Sequence, residues 1–300
     1  MNGEPADAAL PDLAAVEAAV GRAIRTGHDP MVRVLGHGEI SIVLAWPADS
    51  PQHALKRVPP FRDMATASTY LAACEEFFAV LREADVPIWP TTLHHTTRAD
   101  GSVVVYHRQP VGEAAQFGAN VLRAAEPTPD HPLLAAVLSH TQAVVQPGRI
   151  GFDVQAMNWL WDGTTARQVD FTSPFTLNES GDDLRFDTAG FLREYPAALR
   201  GYLKKELLQV IVRYTRPEGA YGDFVANLLK EGLEPWVDPA IEAGRRVGVA
   251  VDRDTCTKFF EDDKKLMPLT LRLRKAQRWW VQHTGRRYDA MLPERTTYER

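Results

Sequence analysis

The stretch GFDVQAMNWLWDGTTARQVDFTSPF, residues 151–175, combines polar and apolar side chains in a pattern that decides the fold expected for the whole chain. It holds two acids and an amide, Asp153, Asn158 and Asp170, around the apolar run Trp159-Leu160-Trp161. Burying a carboxylate is costly unless a cation or hydrogen-bond donors accompany it. The segment therefore predicts a partner for these polar groups, and a divalent cation is the simplest one.

Upstream of this stretch, the sequence predicts an antiparallel sheet that opens with a glycine-containing turn. The segment MVRVLGHGEISIVLAWP predicts two strands, the second beginning at Ile40, around a turn that contains Gly36 and Gly38. The next segment, HALKRV, is typical of a third strand, and it carries Lys56. This opening differs from a dinucleotide-binding unit, in which a helix follows the first strand directly.

Residues 64–84 have the apolar spacing of an amphipathic helix. Glu75 lies on the same predicted stripe as Leu71 and Phe78, and a glutamate in that position favours a cation as its neighbour. The segments IWPTTLHHTT and GSVVVYHRQPV then predict two more strands, joined at the Asp100-Gly101 turn. The sequence therefore predicts five strands before residue 112, with this helix between the third and the fourth.

The chain is expected to have an α+β fold with two lobes. The amino-terminal lobe, residues 1–112, would contain the small antiparallel sheet, its one helix and a leading helix from Leu13 to Ile24. The carboxy-terminal lobe, residues 113–300, would be mainly helical and larger, and would carry the catalytic and metal-binding loops. Five prolines are predicted to stop helices in its last part: Pro196, Pro217, Pro235, Pro239 and Pro268.

Composition excludes several classes of protein. The 300 residues are 45% hydrophobic and 24% charged, which is enough apolar material for a large core. A net charge of -5 gives no general attraction to nucleic acids or anionic membranes. Cys74 and Cys256 stand far apart and form no disulfide or zinc motif, and no apolar run is long enough to span a bilayer. These features predict a cytoplasmic protein.

Taken in chain order, these parts resemble the protein-kinase-like fold, and within it the aminoglycoside and small-molecule phosphotransferases more than the eukaryotic protein kinases. The resemblance spans about residues 31–175 and implies ATP and Mg²⁺ as cofactors. It implies that Gly36 and Gly38 let the backbone approach the nucleotide phosphates. Lys56, paired with Glu75, would hold the α- and β-phosphates.

The same resemblance assigns roles to the three polar residues of the first stretch. Asp153 would be the catalytic base that accepts the proton of the substrate hydroxyl. Asn158, five residues later, and Asp170, in the D-F-G-like segment, would be the magnesium ligands. The apolar run between them would pack the loop against the helical lobe.

The sequence also departs from the pattern of that family. Gly151 stands where the family has a histidine, Thr172 where it has the last glycine of D-F-G, and Ser41 where it has the third glycine of the phosphate loop. Gln155 stands where a phosphotransferase often has His or Lys. These changes spare the base and the metal ligands. They leave three hypotheses open: a phosphotransferase for a hydroxyl of an antibiotic-like or secondary-metabolite molecule, a Ser/Thr kinase of a precursor peptide with a lyase partner, and a pseudokinase that only binds.

Two charged regions could recognise the acceptor or a partner protein. The first comprises acidic clusters that could hold a cationic acceptor or could be solvated loops: Glu179, Asp182, Asp183, Glu261, Asp262 and Asp263. The second is the basic stretch LRLRKAQRWWVQHTGRR, which could bind an acidic peptide. Such a stretch is more often an amphipathic helix, here with Leu271, Trp279 and Trp280 turned inward.

Overall fold

The computed structural model describes residues 11–38, 41–285 and 287–294. The predicted start of the second strand, Ile40, and the basic residue Arg286 lie outside these ranges, as do residues 1–10. Within them the chain has an α+β architecture with a five-stranded antiparallel sheet and a two-stranded ribbon. The strands are β1 Val34–His37, β2 Ile42–Trp46, β3 His53–Arg57, β4 Thr92–Thr97, β5 Val103–Pro110, β6 Trp159–Trp161 and β7 Ala166–Gln168.

The α-helices agree with the main helical segments expected from the sequence. A leading helix and one helix between β3 and β4 belong to the sheet region, and the others follow β5. They are α1 Leu13–Thr26, α2 Met64–Glu83, α3 Gly118–Ala124, α4 Pro132–Val144, α5 Ala189–Leu192, α6 Arg200–Tyr214, α7 Pro217–Lys230, α8 Val237–Arg246 and α9 Arg253–His283. None of the helices in the described ranges is long and apolar enough to cross a bilayer.

The sheet has the strand order β1-β2-β3-β5-β4, with a helix on each face. Residues alternate between the faces of a strand, so β3 and β5 must bury both sides. Leu55 and Tyr106 pack with α1, whereas Val103 and Val105 belong to the core that α2 completes. Lys56 pairs in register with His107 across β3 and β5. Because Lys56 lies between Leu55 and Arg57, its side chain is on the α2 side of the sheet.

A buried ion cluster attaches α1 and the carboxy-terminal segment to the α1 face of the sheet. Glu17 accepts hydrogen bonds from Arg57 Nε at 2.8 Å, from Arg98 Nε at 2.9 Å and from the Tyr106 hydroxyl at 2.6 Å. Arg98 also bonds Asp289 at 2.8 Å. Burial alone would raise the pKa of Glu17, but the charges of Arg57 and Arg98 outweigh it and lower this pKa to about 2. Glu17 is therefore ionised inside the protein.

Two expectations for the last helix are wrong. Pro268 does not end a helix, because it lies inside α9. Proline removes one backbone hydrogen bond, but α9 packs along α7 and continues on both sides of that residue. Trp279 and Trp280 do not face inward: they are 59% and 60% exposed, while Leu271 is buried.

Candidate functional site

A cleft of about 400 Å³ lies between the sheet and the helices that follow it. Four of the residues singled out from the sequence line it together: Gly38, Asp153, Asn158 and Asp170. Lys56 lies directly behind Asp170, with its ammonium 3.3 Å from the carboxylate. The structure thus brings the glycine turn, the lysine and the three polar residues of the 151–175 stretch to one place.

The apolar run of that stretch fixes its polar residues. Trp159 is fully buried at the start of β6, and its indole nitrogen donates to the Val154 carbonyl at 3.1 Å. Next to this anchor, the Val169 amide donates to the Asn158 carbonyl at 2.9 Å. The β6–β7 ribbon therefore places Asn158 and Asp170, the residue after Val169, on adjacent lengths of backbone at the cleft.

Asp170 is held through only one of its carboxylate oxygens. Oδ1 accepts from Lys56 Nζ at 3.3 Å and from the Thr172 amide and hydroxyl at 3.2 and 2.9 Å. No donor among the described residues contacts Oδ2, and the side chain remains 31% exposed. Burial raises the pKa of Asp170, but the charge of Lys56 and the bonds from Thr172 lower it more. The carboxylate is therefore ionised, with one oxygen available to a cation in the cleft.

The expected pair between Lys56 and Glu75 is not formed. Glu75 is exposed, and Lys56 instead donates to Asp170 and, at 2.6 Å, to the Val169 carbonyl. The physical reason is the rotation of α2. Its buried stripe consists of Ala67, Tyr70, Ala73, Cys74, Phe77, Phe78 and Leu81. This stripe turns Glu75 toward solvent.

Two residues that the sequence did not single out occupy the space between α2 and Asp170. The Tyr70 hydroxyl donates to the Thr172 carbonyl at 3.0 Å and contacts His107 Nε2 at 2.8 Å. Because the hydroxyl proton goes to Thr172, His107 Nε2 must donate to Tyr70. His107 is fully buried, and its Nδ1 has no hydrogen-bond partner within the described part of the chain. Burial and the charge of Lys56 lower the pKa of His107 to about 3, so the ring is neutral.

A sequence signal for these two residues exists in hindsight. Tyr70 shares the spacing of three and four with Cys74 and Phe77, which marks the face of α2 that is actually buried. His107 is two residues from Val105 on the same face of β5, and lies opposite Lys56. The sequence pattern instead placed the buried stripe of α2 at Leu71 and Phe78. It therefore predicted Glu75 as the neighbour of Lys56, which is wrong.

The two glycines have different positions. Gly38 follows β1 and closes the turn, since its amide donates to the Ser41 carbonyl at 2.8 Å. A Cβ on Gly38 would lie 2.9 Å from Ser41 Oγ and 3.3 Å from the Ser41 carbonyl oxygen, so a larger residue there would require the Ser41 hydroxyl to move. Gly36 lies inside β1, at an irregularity in its pairing with β2, and a Cβ there would meet open space. Glu39 and Ile40 lie outside the described residues.

The loop that carries Asp153 is held by packing rather than by the histidine that Gly151 replaces. A Cβ on Gly151 would lie 3.1 Å from the Phe175 Cβ and 3.2 Å from the Tyr214 Cβ, so the backbones approach closely. Asp153 Oδ1 accepts from the Gln155 amide at 3.1 Å. The Gln155 side chain in turn donates to Asp223 at 3.1 Å. Gln155 therefore connects the loop to α7 instead of replacing a catalytic cation.

The far side of the cleft is mainly apolar, and the acidic clusters do not contribute to it. Its lining there includes Leu207, Val210, Met267, Leu271 and Met291, with Glu194, Lys230, Glu231 and Arg274 as the charged members. None of the six carboxylates proposed for a cationic acceptor lines the cleft. Asp183 instead pairs with Lys204, and Asp263 with Lys230. The sequence had suggested that these two clusters, one in a loop and one within α9, bring negative charge to the acceptor site, but neither lines the cleft.

The residues present fit a magnesium ion that is shared with phosphates. No group of three or more His, Cys, Asp or Glu residues in the described ranges could hold a metal alone. Magnesium in nucleotide sites, however, takes only one or two protein oxygens and completes its shell with phosphate and water. Asn158 and the open oxygen of Asp170 supply such a pair of oxygen ligands.

The chain belongs to a family of unknown function, DUF6206, which it matches over residues 15–278. A comparison with curated proteins gave no match. The matched range contains most of α1, the whole sheet, the cleft residues of the 151–175 stretch and most of α9.

Proposed function

We propose that the chain is an ATP- and Mg²⁺-dependent phosphotransferase of the bilobal protein-kinase-like type, which transfers a phosphoryl group to a hydroxyl of a small molecule. The observation on which the proposal rests is the one-sided hydrogen bonding of the Asp170 carboxylate. Its Oδ1 is held by Lys56 and Thr172, while its other oxygen is left without a donor beside Asn158 in the cleft. A carboxylate with one open oxygen at the edge of a cleft can serve as a ligand for a cation bound there.

The phosphates would lie between the glycine turn and Lys56. Gly38 lines the cleft, and the side of Gly36 that would carry a Cβ is open. Without a Cβ in the way, the backbone at these two glycines could lie close to phosphate oxygens. Lys56 does not itself line the cleft, but its ammonium lies 3.3 Å from Asp170 and would add one positive charge near the phosphates. In phosphoryl transfer, positioning and charge neutralisation supply most of the rate.

Magnesium, when bound by Asn158 and Asp170, would neutralise charge on the phosphates. Asp153 lines the same cleft, from a loop that Gly151 and Gln155 hold rigidly. Its carboxylate would accept the proton of the acceptor hydroxyl or orient that hydroxyl. The acceptor would lie against the apolar far wall. A cleft of about 400 Å³ has the size of a site for a small ligand rather than for a folded protein segment.

The proposal is tested by following the γ-phosphate of labelled ATP into a set of hydroxyl-bearing small molecules. Wild-type protein should transfer label to at least one acceptor class, and Asp153→Asn should reduce transfer by at least about a hundredfold. Asp262→Asn is the matched control, because this exposed carboxylate lies outside the cleft. Equal transfer by wild type and Asp153→Asn would remove Asp153 from the mechanism. Binding of magnesium-ATP without any transfer, to these molecules or to peptides, would instead favour the pseudokinase.

A further inference from the structure

Helix α9 carries a second apolar stripe that faces solvent. Its inner side includes Cys256 and Leu271, which are buried in the protein. On the outer side, five residues recur at intervals of three and four, and we call them the α9 seam: Leu266, Leu269, Leu273, Ala276 and Trp280. The three largest exposed members, Leu266, Leu269 and Trp280, are 49%, 52% and 60% exposed. Soluble surfaces rarely keep such a continuous apolar row without a partner.

The spacing of the seam indicates what kind of surface would cover it. Intervals of three and four are those of the a and d positions in a heptad, which pack against a second helix. From Leu266 to Trp280 the seam extends about 21 Å along the helix, long enough for two heptads. Trp280 and its neighbour Trp279 supply large rigid side chains of the type that anchors protein interfaces.

The charges beside the α9 seam indicate whether the partner surface is acidic or basic. Lys265 and Arg272 occupy the flanking g positions, and both are exposed without an ion pair to any other described residue. From Lys264 to Gly285 the sequence contains six Lys and Arg residues and no Asp or Glu. A second copy of α9 would bring this same positive charge against itself. Acidic residues at the flanking positions of another helix would instead form pairs across the interface.

We infer that the α9 seam binds an amphipathic helix of a partner protein, with apolar a and d residues and acidic flanks. This surface lies on the side of α9 opposite to Leu271, and none of its five residues is among the α9 residues that line the cleft, which are Met267, Thr270, Leu271 and Arg274. The inference therefore does not depend on the proposed phosphotransferase activity. It assigns an interaction to the two tryptophans that the sequence pattern had placed inside.

The test uses a fluorescein-labelled three-heptad peptide with Leu at a and d and Glu at e and g, and a second peptide with Lys at e and g. Anisotropy should show the acidic peptide binding the full chain at least about tenfold more tightly than the basic one. Trp280→Ala and Leu269→Ala should each weaken that binding by about tenfold or more. Tyr202→Ala is the matched control, because Tyr202 is 61% exposed on α6. It should bind the peptide like wild type, and the melting temperatures of all variants verify folding.

Several results would overturn the inference. They are equal binding of both peptides, binding of neither, or equal binding by wild type and both seam variants. A wild-type dimer in sedimentation that becomes monomeric in Leu269→Ala would assign the seam to a second copy of the chain. Binding to vesicles that contain phosphatidylserine, lost in Trp280→Ala, would assign it to a membrane surface. Monomeric protein that ignores such vesicles and binds the acidic peptide would support the inference.

Discussion

Thr172 holds Oδ1 of Asp170 twice, through its backbone amide at 3.2 Å and its hydroxyl at 2.9 Å. The residue that seemed to break the D-F-G-like pattern thus supports the carboxylate that the pattern identifies. A glycine could offer only the amide. The hydroxyl adds a second bond to the same oxygen, Oδ1.

Removing that hydroxyl should loosen the proposed metal ligand. Thr172→Val keeps the shape of the side chain but leaves Asp170 with one donor fewer, so the magnesium concentration needed for half-maximal nucleotide binding should rise about tenfold. Thr172→Ser restores the hydroxyl and should stay near the wild-type value. A magnesium requirement that is the same in all three proteins would show that the hydroxyl does not position Asp170.

Tyr70 should act as a positioning residue for the same segment. Tyr70→Phe removes the hydroxyl that joins His107 to the Thr172 carbonyl, and the expected result is again a magnesium requirement raised about tenfold. Tyr106→Phe is a matched control, since that buried hydroxyl bonds Glu17 on the opposite face of the sheet. Both variants lose stability, but only Tyr70→Phe should alter the magnesium titration. An equal effect of the two would assign Tyr70 to packing alone.

Glu75 should be dispensable, whereas Lys56 should not. Glu75 is exposed and Lys56 is bonded to Asp170, so Glu75→Ala should leave nucleotide affinity within about twofold of wild type. Lys56→Met removes the ammonium and should weaken binding by at least about tenfold, the loss expected for a hydrogen bond to a charged group. Calorimetric titration of both variants measures the difference. A large loss in Glu75→Ala would mean that α2 rotates when nucleotide binds.

The buried Glu17 cluster should make stability depend on acid pH. The pKa of Glu17 is about 2 in the folded chain and about 4.5 when exposed, so its contribution is complete above pH 4.5 and is lost as pH falls toward 2. Each unit of that difference corresponds to about 1.4 kcal/mol, which gives a contribution on the order of 3 kcal/mol.

Glu17→Gln should therefore lower the free energy of unfolding at pH 7 by about 3 to 5 kcal/mol, because it leaves Arg57 buried without its acid and Arg98 paired with Asp289 alone. Urea denaturation at pH 7 and pH 3 should show the gap to wild type shrinking at the lower pH. Glu75→Gln, which changes an exposed carboxylate, is the control and should show no such gap. A gap that is constant with pH would contradict an ionised Glu17.

The sheet and the polar residues of the 151–175 stretch could be predicted because their signals are local. Alternating apolar residues gave the strands, and the order Lys56, Asp153, Asn158, Asp170 does not depend on how the helices pack. The rotation of α2 is different. Two stripes one residue apart fit its sequence, and only contact with Phe171 and Thr172 selects the one that contains Tyr70 and excludes Glu75.

The same limit explains the error at the end of α9. Tryptophans are usually buried, so Trp279 and Trp280 were expected on the inner face with Leu271. The helix instead buries the side that includes Cys256 and Leu271, and Arg278 on that side donates to the Ile24 carbonyl at 3.0 Å. The periodicity of apolar residues predicted the helix. It could not show which of two apolar stripes is buried, because that depends on the elements packed against the helix.

The most direct test of the central claim is calorimetric titration of a non-hydrolysable ATP analogue, with magnesium and with EDTA, into wild-type protein and Asp170→Asn. Magnesium should tighten binding of the analogue to wild type by at least about tenfold. It should have little effect on Asp170→Asn, which loses the ionised metal ligand. No binding to wild type at millimolar nucleotide, or the same magnesium effect in both proteins, would contradict the central claim.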